Sequence, residues 1–119
     1  MTRDEMQAVV NRTTFYREAD VKRVVRRLLK QLGAFHFMPP ANTFGRAGIA
    51  DIICVWDGRA VAIETKFGKN KPTANQIKFG RDWSAAGGFF AVVNENNIVD
   101  MLQLALRYVG GEDVSRFNA

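Results

Sequence analysis

The sequence predicts an α/β fold, a mixed β-sheet flanked by helices in the order α-β-β-β-α-β-α. Three observations carry that expectation. Two apolar runs meet across Asp57-Gly58, a dipeptide that suits a two-residue hairpin turn. A helical pattern then separates the second run from a third, Phe89–Val93, and strand-helix-strand order implies a right-handed crossover where the two strands lie parallel. Finally, apolar residues recur with a helical period near both ends of the chain.

Each element has its own local signal. Arg3–Asn11 reads as a short extra helix. Thr13 and Thr14 offer N-caps for a longer one reaching about Gly33. Its apolar positions Val21, Val24, Val25, Leu28, Leu29 and Leu32 follow the i, i+3, i+4 rule, and Gly33 is a natural stop. Residues 35–38 form a short strand ended by Pro39 and Pro40, and 41–48 a loop with two glycines and Arg46. Residues 51–56 and 59–67 are the arms of the hairpin. After a basic loop at 68–72, Thr73 caps a helix with Gln76 three residues on, in capping-box spacing. That helix ends near Gly87-Gly88, and Phe89–Val93 is a buried strand. The last helix, Ile98–Val109, carries Met101, Leu102, Ala105, Leu106 and Val109 on one face. The tail at 110–119 is expected to be flexible or to dock on a partner.

The chain has 119 residues, which suits a single domain with its core at about 15–109. A chain of that size buries roughly 65% of its unfolded surface, enough for a core without staples. No apolar run is long enough to span a bilayer, and the polar N-terminus does not read as a signal peptide. Cys54 is the single cysteine, so an intrachain disulfide is excluded. A reducing, cytoplasmic setting is expected. Net charge is +5, and the basic residues gather in two stretches: Arg17, Lys22, Arg23, Arg26, Arg27 and Lys30, then Lys66, Lys69, Lys71 and Lys78. Such stripes suit phosphate backbones, although a solvated helix face would look the same.

A turn at Asp57-Gly58 fixes the hairpin register. Trp56 pairs with Arg59, Val55 with Ala60 and, continuing, Asp51 with Glu64. Opposed residues share a face, so the two acids project side by side, their roots roughly 5 Å apart. Alternation puts Lys66 on that face too, and Ile52, Cys54, Val61 and Ile63 on the other as core. Opposed carboxylates repel unless something positive lies between them. Lys66 supplies one charge and a divalent cation would supply more. Hard oxygen ligands without neighbouring cysteine or histidine favour magnesium or manganese over zinc. Phosphodiester hydrolysis uses these parts: a metal to polarise the phosphoryl oxygen, a water as nucleophile and a cation near the attack.

Gly48-Ile49-Ala50-Asp51, a hairpin, Ile63-Glu64-Thr65-Lys66 and then Gln76 on a helix together resemble the PD-(D/E)XK nucleases. The nearer likeness is to their virus-type replication-repair nuclease branch, VRR-NUC, in its stand-alone phage-type form, with Glu18 as the acid that opens the first helix. The likeness runs from about Glu18 to Val93 and implies a restriction-endonuclease-like fold. It also implies that Asp51, Glu64 and the Thr65 backbone carbonyl hold one or two Mg2+ or Mn2+ ions, with Glu18 reaching the metal directly or through water. Lys66 would stabilise the attacking hydroxide and the transition state, and Gln76 would steady the site. One departure is Ala50, where the motif carries proline; that position shapes the turn rather than the chemistry.

Several residues have plainer readings. Gln76 also completes a capping box, Glu18 suits the helix dipole, and His36 lies between two phenylalanines as a packed or surface residue. Cys54, Trp56 and Trp83 read as packing groups. Arg46, Lys69 and Lys71 flank the site as candidate phosphate contacts. Family likeness implies a metal-dependent, structure-specific endodeoxyribonuclease that works as a homodimer and resolves four-way DNA junctions. The last helix and tail offer apolar surface for the second copy. Rival readings are a nuclease of flaps, single strands or nicked duplex, an RNA-processing endonuclease, and a module that binds DNA without cutting it.

Overall fold

The hairpin at Asp57-Gly58 organises the sheet. In the computed structural model, which describes residues 1–40 and 46–117, Asp57 and Gly58 take φ of 47° and 79°. Positive φ at both central residues is what a type I′ turn requires, and its twist matches that of the strands it joins. Helices α1 (Arg3–Asn11) and α2 (Glu18–Gln31) precede strands β1 (Phe35–Phe37), β2 (Ile52–Trp56) and β3 (Arg59–Thr65). Helix α3 (Ala74–Ala85), strand β4 (Phe89–Val93), helix α4 (Ile98–Val109) and a short turn of 3-10 helix (Ser115–Phe117) follow. The strands lie in the order β1-β2-β3-β4. The first three are antiparallel neighbours and β4 runs parallel to β3, so the sheet is mixed, as the sequence predicts. The hairpin register is also the expected one, with Trp56 opposite Arg59 and Ile52 opposite Ile63.

Two helix starts show what sets an N-terminus. Thr2 caps α1 reciprocally with Glu5, and Thr73 caps α3 with Gln76. Helix α2, however, starts at Glu18 rather than after Thr13 or Thr14. Asp20 decides this: its carboxylate accepts hydrogen bonds from the Tyr16 and Arg17 backbone N–H groups at 2.8 and 3.1 Å. These bonds, with Arg23 beside them at 2.6 Å, hold the Asp20 carboxyl below the usual aspartate range. Residues 41–45 of the expected loop, and residues 118–119 of the expected tail, lie outside the described residues. Within that tail, Val114 is buried against the main core.

The larger core fills one side of the sheet. Met6 and Val9 of α1, Val21, Val24, Val25, Leu28 and Leu29 of α2, and Leu102 and Ala105 of α4 close over Ile52, Cys54, Trp56, Val61 and Ile63. Each large side chain buried there contributes roughly 1.5–3 kcal/mol by leaving water. A smaller cluster on the other side joins Ala50, Ala62 and Phe79, with Trp83 stacked on Phe79 and donating its indole N–H to the Phe89 carbonyl. Both tryptophans are therefore packing groups. Among the described residues no helix is long and apolar enough to cross a membrane.

Cys54 is fully buried, and burial pushes its thiol up to about 12. The folded protein is therefore expected to react with a thiol reagent at neutral pH at least 100-fold more slowly than the denatured chain, a factor of order ten per unit of pKa. A colorimetric thiol assay with and without denaturant checks this; equal rates would mean the strand opens readily.

Candidate active site

The site lies where the hairpin arms are open, at the end away from the turn. Asp51 stands one residue before β2, and continuing the ladder sets it opposite Glu64. The two acids are tied together through backbone. The Asp51 N–H donates to Glu64 Oε1 at 3.2 Å. In return Asp51 Oδ2 accepts from the Thr65 N–H at 2.9 Å and the Thr65 hydroxyl at 2.7 Å. Thr65 thereby aims the Asp51 carboxylate, a positioning role carried by its side chain and amide that the sequence did not suggest. Bonds of this kind to an ionised acceptor are about twice as strong as neutral ones.

Glu64 is a carboxyl whose charged form is disfavoured by its surroundings. It sits on β3, the central strand that pairs with β2 on one side and β4 on the other, and is only 1% exposed. Burial first and the neighbouring negative charge of Asp51 second push its carboxyl up to about 7, against the pull of Lys66. Lys66 Nζ lies 3.4 Å from Glu64 Oε2 and 4.0 Å from Glu18 Oε1, so the lysine bridges the buried acid and the first residue of α2. A second cation enters from the same helix. Lys22 Nζ is 3.8 Å from Asp51 Oδ1, a contact across 29 positions of chain that the sequence did not reveal, because Lys22 reads there as one member of a basic run.

Five predicted or newly found groups thus converge: Asp51, Glu64, Lys66, Glu18 and Lys22. The other predicted residues have different partners. The Gln76 side-chain carbonyl accepts from the Thr73 N–H at 2.8 Å, which is its capping role. Arg46 pairs with Asp82 at 2.8 Å and lies over the Phe79 ring, tying the loop before β2 to α3. Lys69 and Lys71 are exposed on the loop after β3. His36 has its Nδ1 3.3 Å from the Ala34 carbonyl oxygen.

Gly48 fixes how the approach to Asp51 sits. Its φ is 79°, and a Cβ there would stand 2.4 to 2.7 Å from backbone and side-chain atoms of Asn75. Only glycine allows this conformation and this closeness together.

The donor set suits a hard cation. Asp51 and Glu64 offer carboxylate oxygens, and Asp51 Oδ1 accepts no hydrogen bond among the described residues, having only Lys22 at ion-pair distance. No group of three histidine, cysteine, aspartate or glutamate side chains able to enclose a metal occurs among the described residues. Two carboxylates with a backbone oxygen are nevertheless a sufficient protein share for magnesium, which keeps several waters and seldom has an all-protein cage. The residues present therefore fit such an ion and give little purchase to zinc.

A scan against protein-family models gives no match, and a search of curated proteins gives none. Two solved structures share the fold. One, described as "VRR_NUC domain", superposes with a TM-score of 0.63 at 19% identity, covering 72% of this chain and 94% of that one. The other, described as "VRR_NUC domain protein", gives 0.52 at 22% identity over 90% of this chain and 89% of that one. The chain thus has a restriction-endonuclease-like α/β fold.

Proposed function

We propose that this protein is a magnesium- or manganese-dependent endodeoxyribonuclease of VRR-NUC type, acting on branched DNA as a homodimer. The observation that carries the reading is a buried glutamate held beside an aspartate, with a lysine 3.4 Å away, at the open end of a hairpin. Glu64 charged and buried costs stability, and a binding module gains nothing from acids facing phosphate. The fold shared with structures described as VRR_NUC domains supports the same reading.

Asp51, Glu64 and the Thr65 carbonyl would hold the ion, with Glu18 reaching it directly or through water. When bound, the ion polarises the phosphoryl oxygen and lowers the pKa of the attacking water. The chain's own groups do the rest. Thr65 keeps Asp51 oriented, and Lys66 stabilises negative charge as it develops on the phosphoryl group. Gln76, Arg46, Lys69 and Lys71 lie in the flanking loop and helix and would steady the site or meet phosphates. A branched substrate with opposed strands calls for two cuts, which two active sites related by a two-fold axis provide.

Incubation of the protein with labelled four-way junction, flap, nicked and linear DNA, and with RNA of the same shapes, tests this. Cleavage of junction DNA is expected with magnesium or manganese and none with chelator. Binding without metal-dependent cleavage favours the DNA-binding module instead. Analytical sedimentation is expected to give twice the chain mass; a monomer that still resolves junctions defeats the two-site arrangement.

A further inference from the structure

The outer side of α2 carries a dense patch of positive charge, of which the site described above takes in only Lys22. At 3.6 residues per turn, Lys22, Arg26, Lys30, Arg23 and Arg27 fall in that order across an arc of about 140°. No acidic residue of the helix lies within the arc. Val21, Val24, Val25, Leu28 and Leu29 occupy the opposite side and are buried, whereas Arg23, Arg26, Arg27 and Lys30 are exposed. Arg23 is held by Asp20. Arg26, Arg27 and Lys30 form no salt bridge among the described residues.

Such crowding works against the helix. The pairs 22/26, 23/27 and 26/30 stand at i, i+4 spacing, 23/26 and 27/30 at i, i+3, and like charges at these spacings destabilise. Lys30 and Arg27 gain something from the C-terminal end of the helix dipole, but Lys22 and Arg23 lie in the first half and do not. Among the described residues the three cations Arg26, Arg27 and Lys30 have no ion-pair partner to offset this repulsion, which leaves them open to a ligand from outside.

One edge of the arc touches the site. Lys22 is half-buried with its ammonium 3.8 Å from Asp51 Oδ1, and from there Arg26 and Lys30 step away along the helix by about 6 Å each. We propose that this arc is a phosphate track, which binds the sugar-phosphate backbone of a duplex DNA arm and leads it to Asp51 and Glu64. The identity of the ligand rests on the nuclease reading above. The helix carries no aromatic side chain, whereas single-strand binders stack bases on aromatic groups. Backbone contacts to paired DNA are therefore what the arc can make, independent of base sequence.

The test is equilibrium binding of a fluorescent DNA duplex by the full chain in chelator, from 50 to 300 mM KCl (about the range over which such contacts weaken most). Arg26→Ala with Lys30→Ala is compared with a charge-matched control, Arg81→Ala with Arg116→Ala. The track double variant should lose about 2 from the slope of log affinity against log salt and bind about 10-fold or more weakly at low salt. It should melt no lower than the parent, since alanine favours helix and two like charges are gone. The control should keep the parent slope. Parent-like binding by the track variant, an equal loss in the control, or no duplex binding by the parent would each overturn the proposal. Because no metal is present, the outcome is separate from cleavage: a protein that never cuts but binds through α2 retains the track, and one that cuts junctions with an unchanged slope in the track variant loses it.

Discussion

Asp51→Asn is expected to lower metal-dependent cleavage on the order of 10³-fold, as loss of a group that acts on the transition state does, while leaving DNA affinity in chelator equal or tighter. The separation follows from where the carboxylate points. Its Oδ2 accepts from the Thr65 N–H and hydroxyl, and an asparagine carbonyl can accept the same bonds, so the hairpin keeps its shape. What is lost is negative charge at Oδ1, the oxygen paired with Lys22. Removing that charge weakens the hold on a cation and relieves repulsion against phosphate. Lys66→Ala should be comparably slow, because Lys66 is the cation nearest Glu64. Single-turnover cleavage of a labelled junction measures both. Near-parent turnover in Asp51→Asn would mean the ligand assignment is wrong.

Glu64→Gln should also abolish cleavage, yet it should make the protein more stable at alkaline pH. Burial and Asp51 raise the Glu64 carboxyl to about 7 from an ordinary 4.5, so the folded protein holds a proton that the unfolded chain releases between those values. The sign follows: below about 4.5 both states are protonated and nothing is lost, stability then falls as pH rises, and above 7 the cost is full. At 1.36 kcal/mol per unit the cost is roughly 3 kcal/mol. In chelator at pH 8, Glu64→Gln is therefore expected to melt roughly 5 °C or more above the parent, and at pH 4.5 close to it. Magnesium should narrow the gap at pH 8 by raising the parent alone. Thermal melts at the two pH values decide it; a parent that is the more stable at pH 8 in chelator would show that Glu64 is not strained by its surroundings.

The parts legible in the sequence were those set by local chemistry. Asp57-Gly58 has only a few turns open to it, and that turn fixed which residue of one arm met which of the other, hence the pairing of Asp51 with Glu64. Thr73 with Gln76, and the bounds of β4 and α4, were equally local. What escaped was set by contacts between distant segments, or by a side chain reaching back along the chain. Thr13 and Thr14 are good caps by type, but Asp20 reaches back to Tyr16 and Arg17 and starts α2 three or four residues later; an acid three positions after Arg17 was the available clue. Val114 is one apolar residue in a polar stretch, with no period to announce that it is buried. Nothing local distinguishes Lys22 from Arg23 or Arg26, and its place beside Asp51 emerges only once α2 packs on the sheet.

The contact at Gly48 bears on how a bulky substrate gains entry. The strand-start carrying Asp51 and the first turn of α3 touch with no side chain between them, and Arg46 clamps the same loop to Asp82 further along that helix. That packing ties the two segments together, so moving α3 aside would disturb the loop that leads into Asp51. On the proposed reading, a branched nucleic acid would then have to kink or splay to present its scissile bond to Asp51 and Glu64.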